Sequence, residues 1–199
     1  MKTKINLISL LSILLTFSSF AQKQKCSKYD YLITIETDFG NIKILLFDDV
    51  PIHKANFIKL IEEGLYNGNN FHRVINGFMI QGGNDTTSFN KGKKFNEITL
   101  PAEFSEKHKH IWGAVAAARV DNPEKRSDRT QFFIVQNHNG AHFLDNQYTV
   151  FGQVMSGLNV IDKIAAQPVD ANSKPLKNIT MSITVEKVKK EDIKKFYCN

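Results

Sequence analysis

The residues best placed to do chemistry lie in FHRVINGFMIQGG, residues 71–83. Arg73 sits there among aromatic and aliphatic side chains, and Gln81 follows on the same short stretch. A fold needs no cation at such a place. Arginine stays charged and presents a rigid fork of N–H donors, so the available chemistry is that of a fixed cation beside an apolar wall. Other constellations are weaker. The histidines of HKH (108–110), His138 and His142 lack carboxylate and thiolate partners at ligand spacing and read as solvated, so no metal is expected. Asp145 lies near, but no Ser or Cys nucleophile pairs with a base, so hydrolysis is not expected.

The segment 71–83 reads as strand, turn, strand, and its turn allows two registers. A two-residue loop, Asn76-Gly77, places Arg73 opposite Ile80. A three-residue loop, Asn76-Gly77-Phe78, places Arg73 opposite Gln81 and Ile75 opposite Met79. A one-residue slip sends every side chain to the other face. The second register has the better chemistry, because it gathers Arg73, Gln81, Ile75 and Met79 on one surface and lets the Gln81 amide steady the guanidinium. Period two in TQFFIV (130–135) sets Gln131 and Phe133 on one face and Phe132 and Ile134 on the other.

The surrounding elements follow from pattern. YLITIET (31–37) and NIKILLF (41–47) form a hairpin around DFG. DDVPIHKANFIKLIEEG reads as a helix with Asp48 or Asp49 as cap, Pro51 in its first turn, Gly64 at its end, and Ile52, Ala55, Ile58 and Ile61 on one face. GAVAAAR (113–119) suits a strand packed close to a neighbour. DNPEKRSDR (121–129) is a polar loop, and YTVFGQV (148–154) a further strand. GLNVIDKIAAQ (157–167) is a second helix, with Leu158, Ile161, Ile164 and Ala165 on one side. NITMSITVEKV (178–188) alternates Ile179, Met181, Ile183 and Val185 as a half-buried strand. About eight strands and two helices result. Eight is the number at which a closed barrel fills with its own side chains, so the expected fold is mainly β: a closed eight-stranded antiparallel β-barrel flanked by two α-helices. A filled barrel must carry its site on the outer face.

The chain has 199 residues, 42% of them hydrophobic, with 15 Phe, which suits one domain with a substantial core. Residues 1–21 read as a cleaved secretory signal: Lys2 and Lys4, the apolar run INLISLLSILLTF, then Ser19 and Ala21 as small residues before the cut. The run is short of the ~20 residues that a membrane span needs, so stable membrane insertion is not expected after cleavage. KQKC precedes Cys26 without the small residues lipidation wants. A short basic segment, 22–29, leads to a domain over 30–188 and a C-terminal tail, 189–199. Without the two signal lysines, 24 basic residues face 20 acidic ones, a charge of +4. That modest excess has no basic stripe interleaved with aromatics, and nucleic acid is not an expected partner. The two cysteines, Cys26 and Cys198, permit one disulfide in an oxidising compartment. Bridging so long a loop stabilises by at most roughly 5 kcal/mol; the alternative is two free thiols.

The blocks FHRVINGFMIQGG, TQFFIV and HFLDNQYTVFGQV, in that order and spacing, resemble the signature blocks of the cyclophilins, the peptidyl-prolyl cis-trans isomerases. The resemblance spans roughly 30–188, and the NPEKRS loop is similar to that of secreted bacterial members. It implies a cyclophilin-like barrel that isomerises X–Pro bonds with no cofactor; taken with the signal segment 1–21, the expected protein is a monomer that acts on exported polypeptides in the periplasm or secreted. It makes Arg73 the catalytic arginine. Phe78, Met79, Phe133 and Leu144 match the pocket for the proline ring, with Ile75 on the same surface. Gln81 and Gln131 match the polar groups beside it, Ala118 and Arg119 the strip along the peptide backbone, and His72 a neighbouring site histidine. Phe143 and Tyr148 complete the rim. Phe143 stands where the family often has Trp, whose indole N–H can bond cyclosporin, so weakened drug binding is implied. Tyr148 replaces a common His, Arg119 a common Asn, and Asn76 a common turn Pro. A proline-peptide binding or chaperone module with little turnover is the alternative from another class. A small-molecule carrier would need a hollow barrel, against which the many inward-type Phe and Ile argue.

Overall fold

The computed structural model describes residues 28–83 and 91–197. The expected signal segment and both cysteines, Cys26 and Cys198, lie outside the described residues.

Strands β1 (Tyr29–Thr37) and β2 (Gly40–Leu46) form the expected hairpin, with Thr37 opposite Gly40. Thr37 fastens the turn: its hydroxyl donates to Gly40 O at 2.9 Å and accepts the Phe39 N–H at 3.1 Å. Helix α1 (Pro51–Glu62) follows. Then come β3 (Phe71–Ile75), β4 (Met79–Gly83), a single-turn helix α2 (Phe95–Ile98), and short β5 (Thr99–Leu100). β6 (Ala114–Ala117), β7 (Ser127–Asp128) and β8 (Gln131–Val135) lead to a 3₁₀ turn at His142–Leu144. β9 (Val150–Ser156), α3 (Leu158–Ala165), β10 (Ser182–Lys189) and α4 (Lys190–Tyr197) complete the chain. The segment read as a tail is therefore largely helical, and Ile193 on α4 is buried against Leu32 and Leu45.

Eight strands make one antiparallel sheet in the order β10-β1-β2-β9-β6-β8-β4-β3, while β5 and β7 form a separate ribbon. The sheet curls until its edges approach. Among the described residues the seam is not a ladder but one bridge, Asn70 with Thr180, flanked by Phe71 N–H to Ile179 O at 3.0 Å and Met181 N–H to Asn69 O at 2.7 Å. Residues 179–181, which the alternation assigned to the last strand, serve this seam, and β10 starts at Ser182. No described helix is long and apolar enough to cross a membrane.

Alternation along the strands sorts the apolar residues into two clusters. Ile33, Ile35, Ile42, Ile44, Phe132, Ile134 and Phe151 fill the inside with Phe57 and Leu60 of α1 and Ile161 and Ile164 of α3. Met79, Ala114, Ala116, Phe133, Val135, Leu144 and Val150 form a second cluster on the outer face. β6 is all small residues and Val115, all buried, so β8 and β9 close tightly on both sides of it. The interior is filled, and the outer cluster is where a site can form.

Helix α1 departs from expectation at its start. Its N-cap, Val50, has no side-chain cap, and neither aspartate serves. Asp48 instead takes the Lys54 and Lys190 ammonium groups at 2.6 and 2.9 Å, and Asp49 pairs with His108 at 2.7 Å. The N–H groups of Ile52 and His53 donate to the Glu103 carboxylate at 3.0 and 2.9 Å. The buried face carries His53, Phe57, Leu60 and Ile61, while Ile52 is 43% exposed and Ala55 faces solvent.

Candidate active site

The β3–β4 hairpin adopts the three-residue loop, with Arg73 opposite Gln81, Val74 opposite Ile80 and Ile75 opposite Met79. Gly77 occupies the left-handed region with φ +77°, a conformation glycine adopts without steric cost. The tip is held from behind. Gly77 N–H donates to Gln136 Oε1 at 2.7 Å, and the backbone N–H groups of Gln136 and Asn137 donate to Phe78 O at 2.8 and 3.1 Å. Gln136 Nε2 continues to Asp162 on α3 at 2.8 Å. Gln136 is thus a positioning residue that sequence reading missed; its only local signal is a polar residue ending the apolar run of β8.

On the outer face Arg73 Nη1 donates to Gln81 Oε1 at 3.3 Å, and Gln81 Nε2 donates to Gln131 Oε1 at 3.0 Å. The first bond is long, so it steadies an exposed guanidinium without immobilising it. Beside this chain opens a concavity of about 260 Å³, lined by Arg73, Phe78, Met79, Gln81, Ala118, Arg119, Phe133, Phe143, Leu144 and Tyr148. Met79, Phe133, Leu144 and Ala118 are its buried part. Phe143 stands at the rim, 72% exposed, with its ring 5.5 Å from that of Phe78. Phe133 meets Tyr148 edge to face at 5.8 Å. Arg119 lies 4.8 Å over the Tyr148 ring, with Nε donating to Gln147 O at 3.0 Å and Nη1 to Asp121 at 3.0 Å.

Three of the expected residues lie off this concavity. Ile75 packs against the outer cluster without lining it. Gln131 reaches it through Gln81 while itself lining a second groove of about 430 Å³. His72 faces that second groove, with Asn69, Asn70, Gly83 and Lys174. The cause is a register shift between Phe71 and Arg73: Phe71 turns into the core, Arg73 outward, and the residue between them leaves the alternation.

A family model described as cyclophilin type peptidyl-prolyl cis-trans isomerase/CLD matches residues 32–186. The chain belongs to this family. A peptidyl-prolyl cis-trans isomerase-like 3 protein of Dictyostelium discoideum is 34% identical over 155 residues, covering 77% of this chain and 94% of the relative. A peptidyl-prolyl cis-trans isomerase of Acinetobacter baylyi is 40% identical over 141 residues, covering 69% and 73%. Among solved structures, a cyclophilin type isomerase of Cryptosporidium parvum aligns with TM-score 0.69 and 26% identity over 78% of this chain and 98% of its own. The protein is a peptidyl-prolyl cis-trans isomerase with the mainly β cyclophilin fold.

The isomerase also holds a constellation that the sequence did not disclose. His53 Nδ1 lies 2.6 Å from Glu103 Oε2, and His53 Nε2 lies 3.0 Å from Ser127 Oγ. Burial pushes the Glu103 carboxyl up, but bonds from the His53 ring and the N–H groups of Ile52 and His53 outweigh it and leave it below the ordinary glutamate range. An ionised carboxylate only accepts, so His53 Nδ1–H donates to Glu103, while Nε2 shares a hydrogen bond with the serine hydroxyl. The spacing is that of a hydrolytic triad, contrary to the expectation that no serine pairs with a base. Ser127 is 1% exposed, however, and lies in the β5–β7 ribbon opposite Leu100. The group is sealed from substrate and works as a structural clasp between α1 and the 121–129 loop. Nor are all histidines solvated: His110 is as buried as Ser127.

Proposed function

We propose that this isomerase acts on X–Pro bonds of exported polypeptides in the periplasm or outside the cell, assisting their folding, with Arg73 as the catalytic group. The observation that carries this reading is the exposed Arg73 guanidinium at the edge of an apolar concavity whose buried part is Met79, Phe133 and Leu144. Supporting it, the Cryptosporidium parvum cyclophilin structure was obtained in the presence of the dipeptide Ala-Pro.

Amide resonance holds the X–Pro bond behind a barrier of ~18–20 kcal/mol. Uncatalysed exchange takes tens of seconds or more. At mid-rotation the proline nitrogen becomes pyramidal and regains its lone pair. A cationic donor can bond that nitrogen only then, so it favours the transition state over both ground states. The apolar concavity clamps the ring while the preceding carbonyl swings past Arg73. Removing ~5 kcal/mol would speed rotation about four orders of magnitude. No bond is made or broken by the protein.

Two tests address the role and the site. Expression of the full chain in a bacterial host should yield a protein beginning at Gln22 outside the cytoplasm, which shortens the proline-limited refolding phase of a secreted client; a cytosolic chain retaining residues 1–21 would refute the exported role. Phe143 has no indole N–H, so cyclosporin should inhibit at least about tenfold more weakly than it does a Trp-bearing cyclophilin, the worth of one hydrogen bond. Phe143→Trp should recover the difference in an inhibition titration, and tight inhibition of the unaltered protein would overturn the expectation.

A further inference from the structure

His110 is buried, 1% exposed, and its Nε2 has no hydrogen-bond partner among the described residues. Its Nδ1 lies 2.8 Å from Asp145 Oδ1, and its backbone N–H donates to the same oxygen at 2.9 Å. The other carboxylate oxygen lies 3.0 Å from His142 Nδ1. Ala141 N–H donates to His110 O at 2.7 Å. These bonds moor the turn that runs from Ala141 to Tyr148, and that turn supplies Phe143, Leu144 and Tyr148 to the concavity. The His110 ring also lies nearly parallel to Phe133, 11° and 6.0 Å between centroids. One side chain therefore touches the floor of the pocket directly and holds its far wall through Asp145.

We propose that His110 is a positioning residue for the isomerase: it sets the width of the pocket between Phe133 and Leu144, and its protonation loosens substrate binding. This rests on the reading of that pocket as the proline site. Asp145 is ionised and can only accept, so His110 Nδ1 carries the proton and, in the neutral ring, Nε2 is a bare lone pair. A second proton would create a charged donor at a buried atom with no acceptor. Burial outweighs the pull of Asp145 and keeps His110 below the ordinary histidine value. The groups facing it are Asp145 and His142 on the turn; β8 offers Phe133 and no charge, and Lys109 on the adjoining segment is engaged with Glu106 at 2.7 Å. Protonation should thus drive the ring from its buried place beside Phe133, with Asp145 still paired to it, and let the turn drift with the pair.

The test is kcat and KM for a proline peptide between about pH 5 and 8, the range in which histidines titrate. For the unaltered protein KM should rise on the acid side while kcat holds. His110→Ala should raise KM about tenfold near neutrality with kcat within about twofold, the pattern of lost uniform binding. His110→Gln can still donate to Asp145 but cannot titrate, so its KM should be flat with pH. His142→Asn should keep the acid-side rise. A His110→Gln profile that still rises, a His142→Asn profile that turns flat, or a folded His110→Ala with unaltered KM each overturns the inference. If His110→Ala fails to fold, the His110→Gln profile decides alone. Phe133→Ala separates the underlying reading: if it leaves KM unchanged, the pocket assignment itself falls; if it raises KM while the folded His110 variants do not, only the role of His110 falls.

Discussion

Arg73→Ala is expected to lower kcat/KM for a proline peptide by about two to three orders of magnitude, the usual loss when one transition-state donor is removed. Its melting temperature should hardly change. Both halves follow from where Arg73 sits. The side chain is exposed and bonded across the hairpin only at 3.3 Å, so its loss opens no cavity. Gln81 keeps its bond to Gln131 in the variant, and the hairpin keeps its anchorage through Gln136. Arg73→Lys keeps the charge but not the planar fork and should fall between the two. A protease-coupled assay with a proline peptide reads the effect. Equal rates for the unaltered and Arg73→Ala proteins would remove the mechanism and leave the fold untouched.

Glu103→Ala is expected to cost about 2–4 kcal/mol of stability, combining a lost helix cap with buried donors left unpaired. Few single changes at a partly exposed residue do as much. This carboxylate receives two N–H groups at the start of α1 and the ring of His53, whose other nitrogen holds Ser127. The melting temperature should drop by about 5–15 °C for a domain of this size. Glu103→Gln, which can still accept but carries no charge, should lose less. The pH dependence has a definite sign. The folded-state carboxyl lies below its ordinary value, so its contribution is present above the unfolded value and is lost as pH falls through the folded one. The gap between unaltered and Glu103→Ala proteins should therefore narrow in acid. A gap that stays constant down to the acid limb would mean that the charge of Glu103 contributes nothing.

What was legible in the sequence was local and periodic. The alternation of TQFFIV put Phe132 and Ile134 on one face and Phe133 on the other, and the structure turns the first pair into the core and Phe133 outward. The chemistry of Arg73 and Gln81 selected the right hairpin register from two. The face of α1 failed for a reason of geometry. Ile52, Ala55, Ile58 and Ile61 recur every third residue, but a helix turns about 100° per residue, so nine residues bring Ile61 to the side opposite Ile52. The true inner face, His53, Phe57, Leu60 and Ile61, includes a histidine whose burial depends on Glu103 and Ser127, 50 and 74 residues away. No local pattern announces such partners. The same holds for the cap of α1, the mooring of Asp145 to His110, and the register shift that carries His72 to another groove.

The two apolar clusters lie on opposite sides of one sheet and share its strands. Along β8, membership alternates by parity: Phe132 and Ile134 belong to the core, Phe133 and Val135 to the working face. Selection can therefore act on the two sets almost separately, reshaping the outer concavity at one parity while the other keeps the interior filled. The arrangement tolerates substitution far better than insertion. A single residue added within β8 would exchange the two sets beyond it, and the chain would lose part of its core and part of the outer apolar cluster in one step.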